Sequence, residues 1–214
     1  MKIWEAIVLA IIEGLTEFLP VSSTGHLILG ASALGLDPAN AFLKLFTIAI
    51  QFGAILSVVV LYLKRFFQSI GFYLKLVVAF IPAAVFGVLF SHKIDALLES
   101  PMGVAIALLI GGFILLGVDK WFAQSTATST EEISYSQALK IGLFQCLAMI
   151  PGTSRSAASI VGGMSQGLSR SLAAEFSFFL AVPTLLGATV KKLYDFYKDG
   201  YQLSSEEWKL LAIG

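Results

Sequence analysis

Two stretches of the chain, Leu45 to Leu63 and Ser100 to Val118, run for 19 residues each without a charged side chain. An α-helix rises 1.5 Å per residue, so about 20 apolar residues cross the ~30 Å hydrocarbon layer of a bilayer. Both stretches have that length. A third, Leu76 to Ser91, reaches it when extended back across Lys75, whose amine can snorkel to the headgroups. The period-two alternation of an outer-membrane barrel strand is absent. The chain is therefore predicted to be an all-α integral membrane protein.

Composition points the same way. Of the 214 residues, 57% are hydrophobic and 13% charged, about half the roughly 25% charged content of a soluble domain. Mean hydropathy is +0.85. Fourteen basic residues balance fourteen acidic ones, which excludes both the basic face of a nucleic-acid binder and an acidic disordered tail. The opening MKIWEAIVLAIIEGLTEF is interrupted by Glu5, Glu13 and Glu17, and no small-residue cleavage site follows promptly. It reads as retained rather than as a signal peptide. Cys146 stands alone, so no intramolecular disulfide or cysteine metal site is expected.

Three further apolar regions are wrong for simple spans. Ala6 to Leu36 contains Glu13, Glu17, Pro20 and His26, while Ile141 to Ser154 and Ser156 to Ser169 are 14 residues each, divided by Arg155. A helix broken at membrane depth survives only where its freed backbone lines a cavity enclosed by protein or water. The two breaks also resemble each other. PVSSTGH at 20–26 aligns with PGTSRSA at 151–157, and IAIQFGAIL at 48–56 with LAVPTLLGA at 180–188, offsets of 131 and 132. Three spans, about 42–63, 72–90 and 102–118, separate the breaks, and an odd number of crossings turns the second copy upside down. The expected architecture is a single membrane domain over 1–214. It is a polytopic helical bundle with inverted-topology repeats (about 1–90 and about 100–214) and two re-entrant, broken helix pairs.

Polar connections are few. Lys64-Arg65 is expected to close one span and Lys191-Lys192 another, with a Ser/Thr-rich loop at 124–136 and a polar loop from Asp195 to Glu207. The two basic pairs then fall on opposite faces, so the positive-inside rule assigns no orientation.

Glu13 and Glu17 stand at i and i+4 and share one helix face. Two carboxylates in an apolar segment require protons, a cation or basic neighbours. The preferred reading is a Mg²⁺ or Ca²⁺ site with open coordination positions; the bland one is an interfacial pair facing headgroups or water. Ser22, Ser23 and Thr24 follow Pro20 as a helix N-cap would, and a buried N-terminus suits phosphate. His26, one turn beyond Ser23, can act as base to make Ser23 a nucleophile; alternatively the serines merely cap while His26 bonds a carbonyl. In the second break, Ser154 and Arg155 take the positions of Ser23 and Thr24. A guanidinium suits bidentate phosphate binding, or a salt bridge to Glu13 or Glu17, and the two roles are compatible. Acids in one repeat and a cation in the other fit metal-assisted phosphoryl hydrolysis better than a symmetric transport path. Gln51 and Pro183, equivalent between repeats, are expected to shape their helices, and His92 is read as surface. The 17 phenylalanines are expected to face lipid and neighbouring helices, some lining a groove for an isoprenoid tail.

EGLTEFLPVSSTGHLIL, IQFGAIL, IPAAVFG, PGTSRSAASI and AAEFSFFLAVPTLLGA occur in order between about residues 4 and 214. Together they resemble the bacterial undecaprenyl-diphosphate phosphatases, the BacA-type bacitracin-resistance family. The resemblance implies hydrolysis of undecaprenyl diphosphate to undecaprenyl phosphate and inorganic phosphate, which recycles the lipid carrier for peptidoglycan and other envelope polymers. It places the E-x-x-x-E motif on Glu13 and Glu17, the serine motif on Ser22, Ser23, Thr24 and His26, and the PGxSRS motif on Ser154, Arg155 and Ser156. It implies Mg²⁺ or Ca²⁺ as cofactor, a polyprenyl diphosphate substrate taken from membrane lipid, and residence in the inner membrane with the site open to the periplasmic side. Two departures stand out. Thr47 occupies a position where members commonly carry Glu, and the chain ends at Trp208–Gly214, where members begin a last span.

From these readings Glu17, Ser23, His26 and Arg155 are the expected catalytic residues. Ser22, Thr24, Ser154, Arg155 and Ser156 are the phosphate ligands, and Glu13 and Glu17 the metal ligands. Whether Ser23 or a water activated by His26 attacks stays open. A homodimer is compatible with the sequence, but no interface motif marks one. The rival class is a polyprenyl-phosphate flippase or small-anion transporter, since broken helices in inverted repeats are also transporter architecture.

Overall fold

The computed structural model describes residues 1–61, 63–67, 69–98, 100–122, 129 and 132–214. Most of the connection expected at 124–136, the side chain of Arg65 and that of His92 lie outside them. The described residues form ten α-helices in chain order. They are α1 Ile3–Thr16, α2 Ser23–Ala33, α3 Ala41–Leu61, α4 Ile70–Leu89, α5 Ser91–Leu98, α6 Pro101–Trp121, α7 Tyr135–Gln145, α8 Arg155–Ser165, α9 Arg170–Lys198 and α10 Ser205–Ile213.

Four of them, α3, α4, α6 and α9, are long and apolar enough to cross a bilayer. Their outward faces are greasy: on α6, Leu109, Phe113 and Leu116 are 65%, 74% and 78% exposed. A soluble monomer does not present such a surface. In lipid it costs nothing. The chain is thus a multi-pass, all-α membrane protein. The proline-containing helices α4 and α9 run unbroken through Pro82 and Pro183, as membrane helices can when neighbours satisfy the freed carbonyl.

Both expected breaks are present. α1 ends at Thr16 and α2 starts at Ser23; α7 passes into a 3-10 turn at Cys146–Met149 before α8 starts at Arg155. Lys191-Lys192, expected to close a span, does not end its helix: α9 continues for two more turns to Lys198. The Lys191 amine donates to Asp195 Oδ2 at 2.6 Å, four residues on. The 29 residues of α9 reach about 43 Å, longer than the hydrocarbon layer, so its charged end can project into headgroups. The polar loop expected from Asp195 to Glu207 shrinks accordingly to residues 199–204.

Two apolar cores flank the middle of the bundle. One joins Ala6 and Leu9 of α1, Leu27 and Ala31 of α2, Phe42, Phe46 and Ile50 of α3, and Leu210 of α10. The other joins Phe72, Leu76 and Ala79 of α4 with Ile141 of α7, Met164 of α8 and Leu172, Phe176 and Leu180 of α9. Edge-to-face rings knit the second core, with Phe72 and Phe179 centroids 5.0 Å apart. The helix order does not follow the cores: α4 packs with α7, α8 and α9, and α10 packs with α1, α2 and α3.

At the α4–α7 crossing, Gly142 lets the backbones meet: a Cβ there would stand 2.1 Å from the Ala79 carbonyl oxygen. Small residues at such crossings give membrane helices their close packing. Gly142→Ala is expected to force α4 and α7 apart and lower stability by about 1–3 kcal/mol. Gly53→Ala, at a helical glycine with open space around it, is expected to be neutral or slightly stabilising. Thermal unfolding of both variants in detergent measures the difference.

Candidate active site

The breaks meet between the two cores. Ser22 caps α2 by accepting from the Gly25 N–H at 3.2 Å, and Ser154 caps α8 by accepting from the Ala157 N–H at 3.1 Å. The first N–H groups of each helix, at Ser23 and Thr24 and at Arg155 and Ser156, have no intrahelical acceptor. The Ser156 hydroxyl donates across to the Leu19 carbonyl at 3.2 Å and stitches one break to the other.

Ser22 has φ 65°, the only positive φ at a non-glycine among the described residues. Such a conformation is held at a cost of about 1–3 kcal/mol. His26 holds it. Its backbone N–H lies 3.1 Å from the Ser22 carbonyl and its Nδ1 2.9 Å from the same oxygen. A carbonyl only accepts, so Nδ1 carries the proton. In the second break the positive φ falls on Gly152, at 89°, where a Cβ would stand 2.5 Å from the Val104 carbonyl oxygen. Only glycine fits there.

Glu17 is the hub. The Arg155 Nη2 donates to its Oε1 at 2.6 Å, and the Ser23 hydroxyl donates to its Oε2. The side chains of Arg155 and Glu17 are only 14% and 5% exposed. Arg155 Nη1 also reaches the Ser177 carbonyl at 3.3 Å, which fixes the guanidinium plane. Glu13 is 1% exposed and lies within electrostatic range of Glu17, Ser23 and Arg155. Yet neither of its carboxylate oxygens has a hydrogen-bond partner among the described residues. A buried carboxylate left so requires a cation or a proton.

A cavity of about 560 Å³ opens from this hub, lined by Glu17, Ser22, Ser23, Thr24, Ser154, Arg155 and Ser156 among others. Seven of the nine residues singled out in the sequence thus share one cavity wall. Glu13 and His26 do not line it: Glu13 is buried, and His26 faces the backbone. The expected pairing of Ser23 with His26 is not formed: the Ser23 hydroxyl donates to Glu17, and His26 Nδ1 bonds the Ser22 carbonyl. Sequence reasoning missed two polar groups in the wall. Gln51 Nε2 donates to Thr24 Oγ1 at 3.0 Å, and Gln145 Nε2 to Thr184 Oγ1 at 3.3 Å. A buried amide inside an apolar span was the signal, since it must find a partner there.

The family model for the bacitracin resistance protein BacA matches residues 6–214. The chain belongs to this family. Relatives named undecaprenyl-diphosphatase include one from Flavobacterium psychrophilum, 67% identical over 214 residues, and one from Flavobacterium johnsoniae, 66% identical over 215. A third, from Porphyromonas gingivalis, is 50% identical over 234 residues. Each alignment takes in 100% of this chain and 80%, 81% and 82% of the respective relative.

Breaking the central ion pair of this BacA-family site leaves a buried charge uncompensated, which costs about 3–5 kcal/mol. Arg155→Met is therefore expected to lower the thermal midpoint in detergent strongly, and adding Glu17→Leu to recover most of the loss. A double variant whose loss equals the sum of the single losses would show the pair to be uncoupled.

Proposed function

We infer that the chain hydrolyses undecaprenyl diphosphate to undecaprenyl phosphate and inorganic phosphate, the reaction named for its BacA-family relatives. The observation that carries the reading is the joining of Ser23, Glu17 and Arg155 at the facing N-termini of two broken helices. Nucleophile, proton acceptor and phosphate-binding cation stand together in one buried cavity of lipid-accessible protein.

In the proposed mechanism the terminal phosphate docks on the helix N-termini at Ser22–Thr24 and Ser154–Ser156, where unpartnered N–H groups and the helix dipoles favour an anion. Arg155 keeps two of its donors on Glu17 and Ser177 and turns the others to the phosphate. The Ser23 Oγ attacks the terminal phosphorus. As the Oγ–P bond forms, the bond from that phosphorus to the bridging oxygen breaks, and undecaprenyl phosphate leaves with the electron pair. The Ser23 proton passes to Glu17, which already accepts it as a hydrogen bond. Water then cleaves the phosphoserine and releases phosphate. His26 acts here by holding the Ser22 carbonyl, and so the angle at which Ser23 is presented.

A divalent cation, Mg²⁺ or Ca²⁺, fits the acidic pair. Glu13 offers two buried oxygens without partners, and no group of three or more acidic, His or Cys ligands occurs among the described residues. Two carboxylates with the remaining positions left to water and phosphate oxygens suit a hard cation of this kind. Bound there, it would neutralise the charge of the diphosphate. The further expectations, residence in the inner membrane with the site open to the periplasm, follow the same reading. The likeness of the two breaks, 131 residues apart with three spans between them, supports an inverted repeat.

Detergent-purified protein is expected to release phosphate from undecaprenyl diphosphate with Mg²⁺ and to lose that activity in EDTA. Ser23→Ala and Glu17→Gln are each expected to lower kcat at least about a hundredfold. Rapid quenching of the native enzyme followed by mass spectrometry should find phosphate on Ser23. Phosphate release without that adduct would transfer the attack to water. Lipid movement across vesicles with no phosphate release would favour a flippase instead.

A further inference from the structure

Thr24 and Gln51 tie α2 to α3 in the wall of the cavity. Gln51 Nε2 donates to Thr24 Oγ1 at 3.0 Å, and both residues line the cavity with Ser23 and Arg155. A hydroxyl accepts through its lone pairs and donates a single proton. A donor that fills a lone pair therefore also limits where that proton can go.

A second pair of the same kind stands in the same wall and shows what a finished one looks like. Gln145 Nε2 donates to Thr184 Oγ1 at 3.3 Å, and the Thr184 hydroxyl donates in turn to the Leu180 carbonyl at 2.7 Å. Thr184 lies well inside α9, so a helical carbonyl stands four residues behind it. Thr24 lies in the first turn of α2, and residue 20 precedes the helix. Its hydroxyl accepts from Gln51 and has no acceptor for its own proton among the described residues.

Three neighbouring hydroxyls are spent on the protein itself. The Ser23 proton goes to Glu17 and the Ser156 proton to the Leu19 carbonyl, which leaves Ser154 as donor in its 3.0 Å contact with Ser156. The Thr24 proton is not spent in this way. The acceptor it lacks is what an anion at the N-terminus of α2 supplies. Gln51 is itself buried within a span, at 7% exposure. An amide is costly there, and an apolar side chain of the same length would serve packing better.

We propose that Gln51 is a positioning residue: by donating to Thr24 Oγ1 it turns the Thr24 hydroxyl proton into the cavity, where it is donated to an oxygen of the terminal phosphate. The proposal rests on the phosphatase reading above. Gln51 then acts only through Thr24. A hydrogen bond made to the phosphate before and during reaction appears in KM and in phosphate affinity, with kcat little changed.

The test uses Gln51→Met, Thr24→Val and the double variant. Methionine keeps the length of the side chain and removes the amide. Release of phosphate from undecaprenyl diphosphate and its inhibition by inorganic phosphate are measured in each. Each single variant is expected to raise KM and the phosphate inhibition constant about tenfold, the effect of one hydrogen bond to a charged group. The double variant should lose no more than either single one. In a Thr24→Ser background, which keeps a hydroxyl, Gln51→Met should still cost its tenfold. Protection by inorganic phosphate against thermal unfolding in detergent reads the same loss without turnover. Losses that multiply in the double variant would overturn the proposal, because Gln51 would then act apart from Thr24. Inorganic phosphate bound as tightly by Gln51→Met as by the native chain, or more tightly, would overturn it too, since the amide would then be withholding the proton. Both results leave the phosphatase reading intact. A native chain that releases no phosphate from the lipid would overturn that reading, and the role of Gln51 with it.

Discussion

Everything at the centre of this molecule depends on one buried ion pair, Glu17 with Arg155. An acid and a guanidinium are each prohibitive alone inside a membrane protein, and together they are tolerable. Because the partners come from the two breaks, their pairing fixes how the broken helices meet. Ser23 is oriented by the same carboxylate, so the contact that secures the fold also aims the hydroxyl. Glu13 is the remainder that this pairing leaves, a second buried acid with no hydrogen-bond partner among the described residues. Such a group is expensive in a structure that serves only to be stable.

Much of this was legible in the sequence, and for physical reasons. Charge-free runs near 20 residues have few fates, so the spans α3, α4 and α6 were marked within a few residues. The breaks were marked by Pro20, Pro151-Gly152 and the serines that follow, since capping chemistry is local. The cavity wall was largely legible too, because an acid, a serine cluster and an arginine at membrane depth have little reason to be there without a ligand.

What the sequence concealed lay in direction and reach. Spacing puts His26 one turn from Ser23, but spacing cannot tell that the ring folds back on the Ser22 carbonyl while the hydroxyl turns to Glu17. Nor does it tell that Glu13 is missing from the cavity wall. Lys191 and Lys192 resembled the end of a span because charges usually are. They sit inside a helix that outruns the bilayer, with Asp195 one turn on to hold the first of them. Gln51 was passed over as a shaping residue, and its partner Thr24 becomes visible only when α3 is laid against α2.

The packing of α10 against α1, α2 and α3 has a consequence for how the molecule is made. Ribosomes deliver Glu13 and Glu17 first, and the arginine that neutralises Glu17 follows 138 residues later. During that interval the Arg155 charge is missing beside α1 and α2, and their own core awaits Leu210 of α10. The opening hairpin must therefore stay near water or hold protons while the rest is synthesised. Contacts of such long range slow assembly and leave apolar surface waiting for its partner. The N-terminal half thus enters the bilayer as an unfinished piece, and the polar centre closes over only when the second break arrives to meet the first.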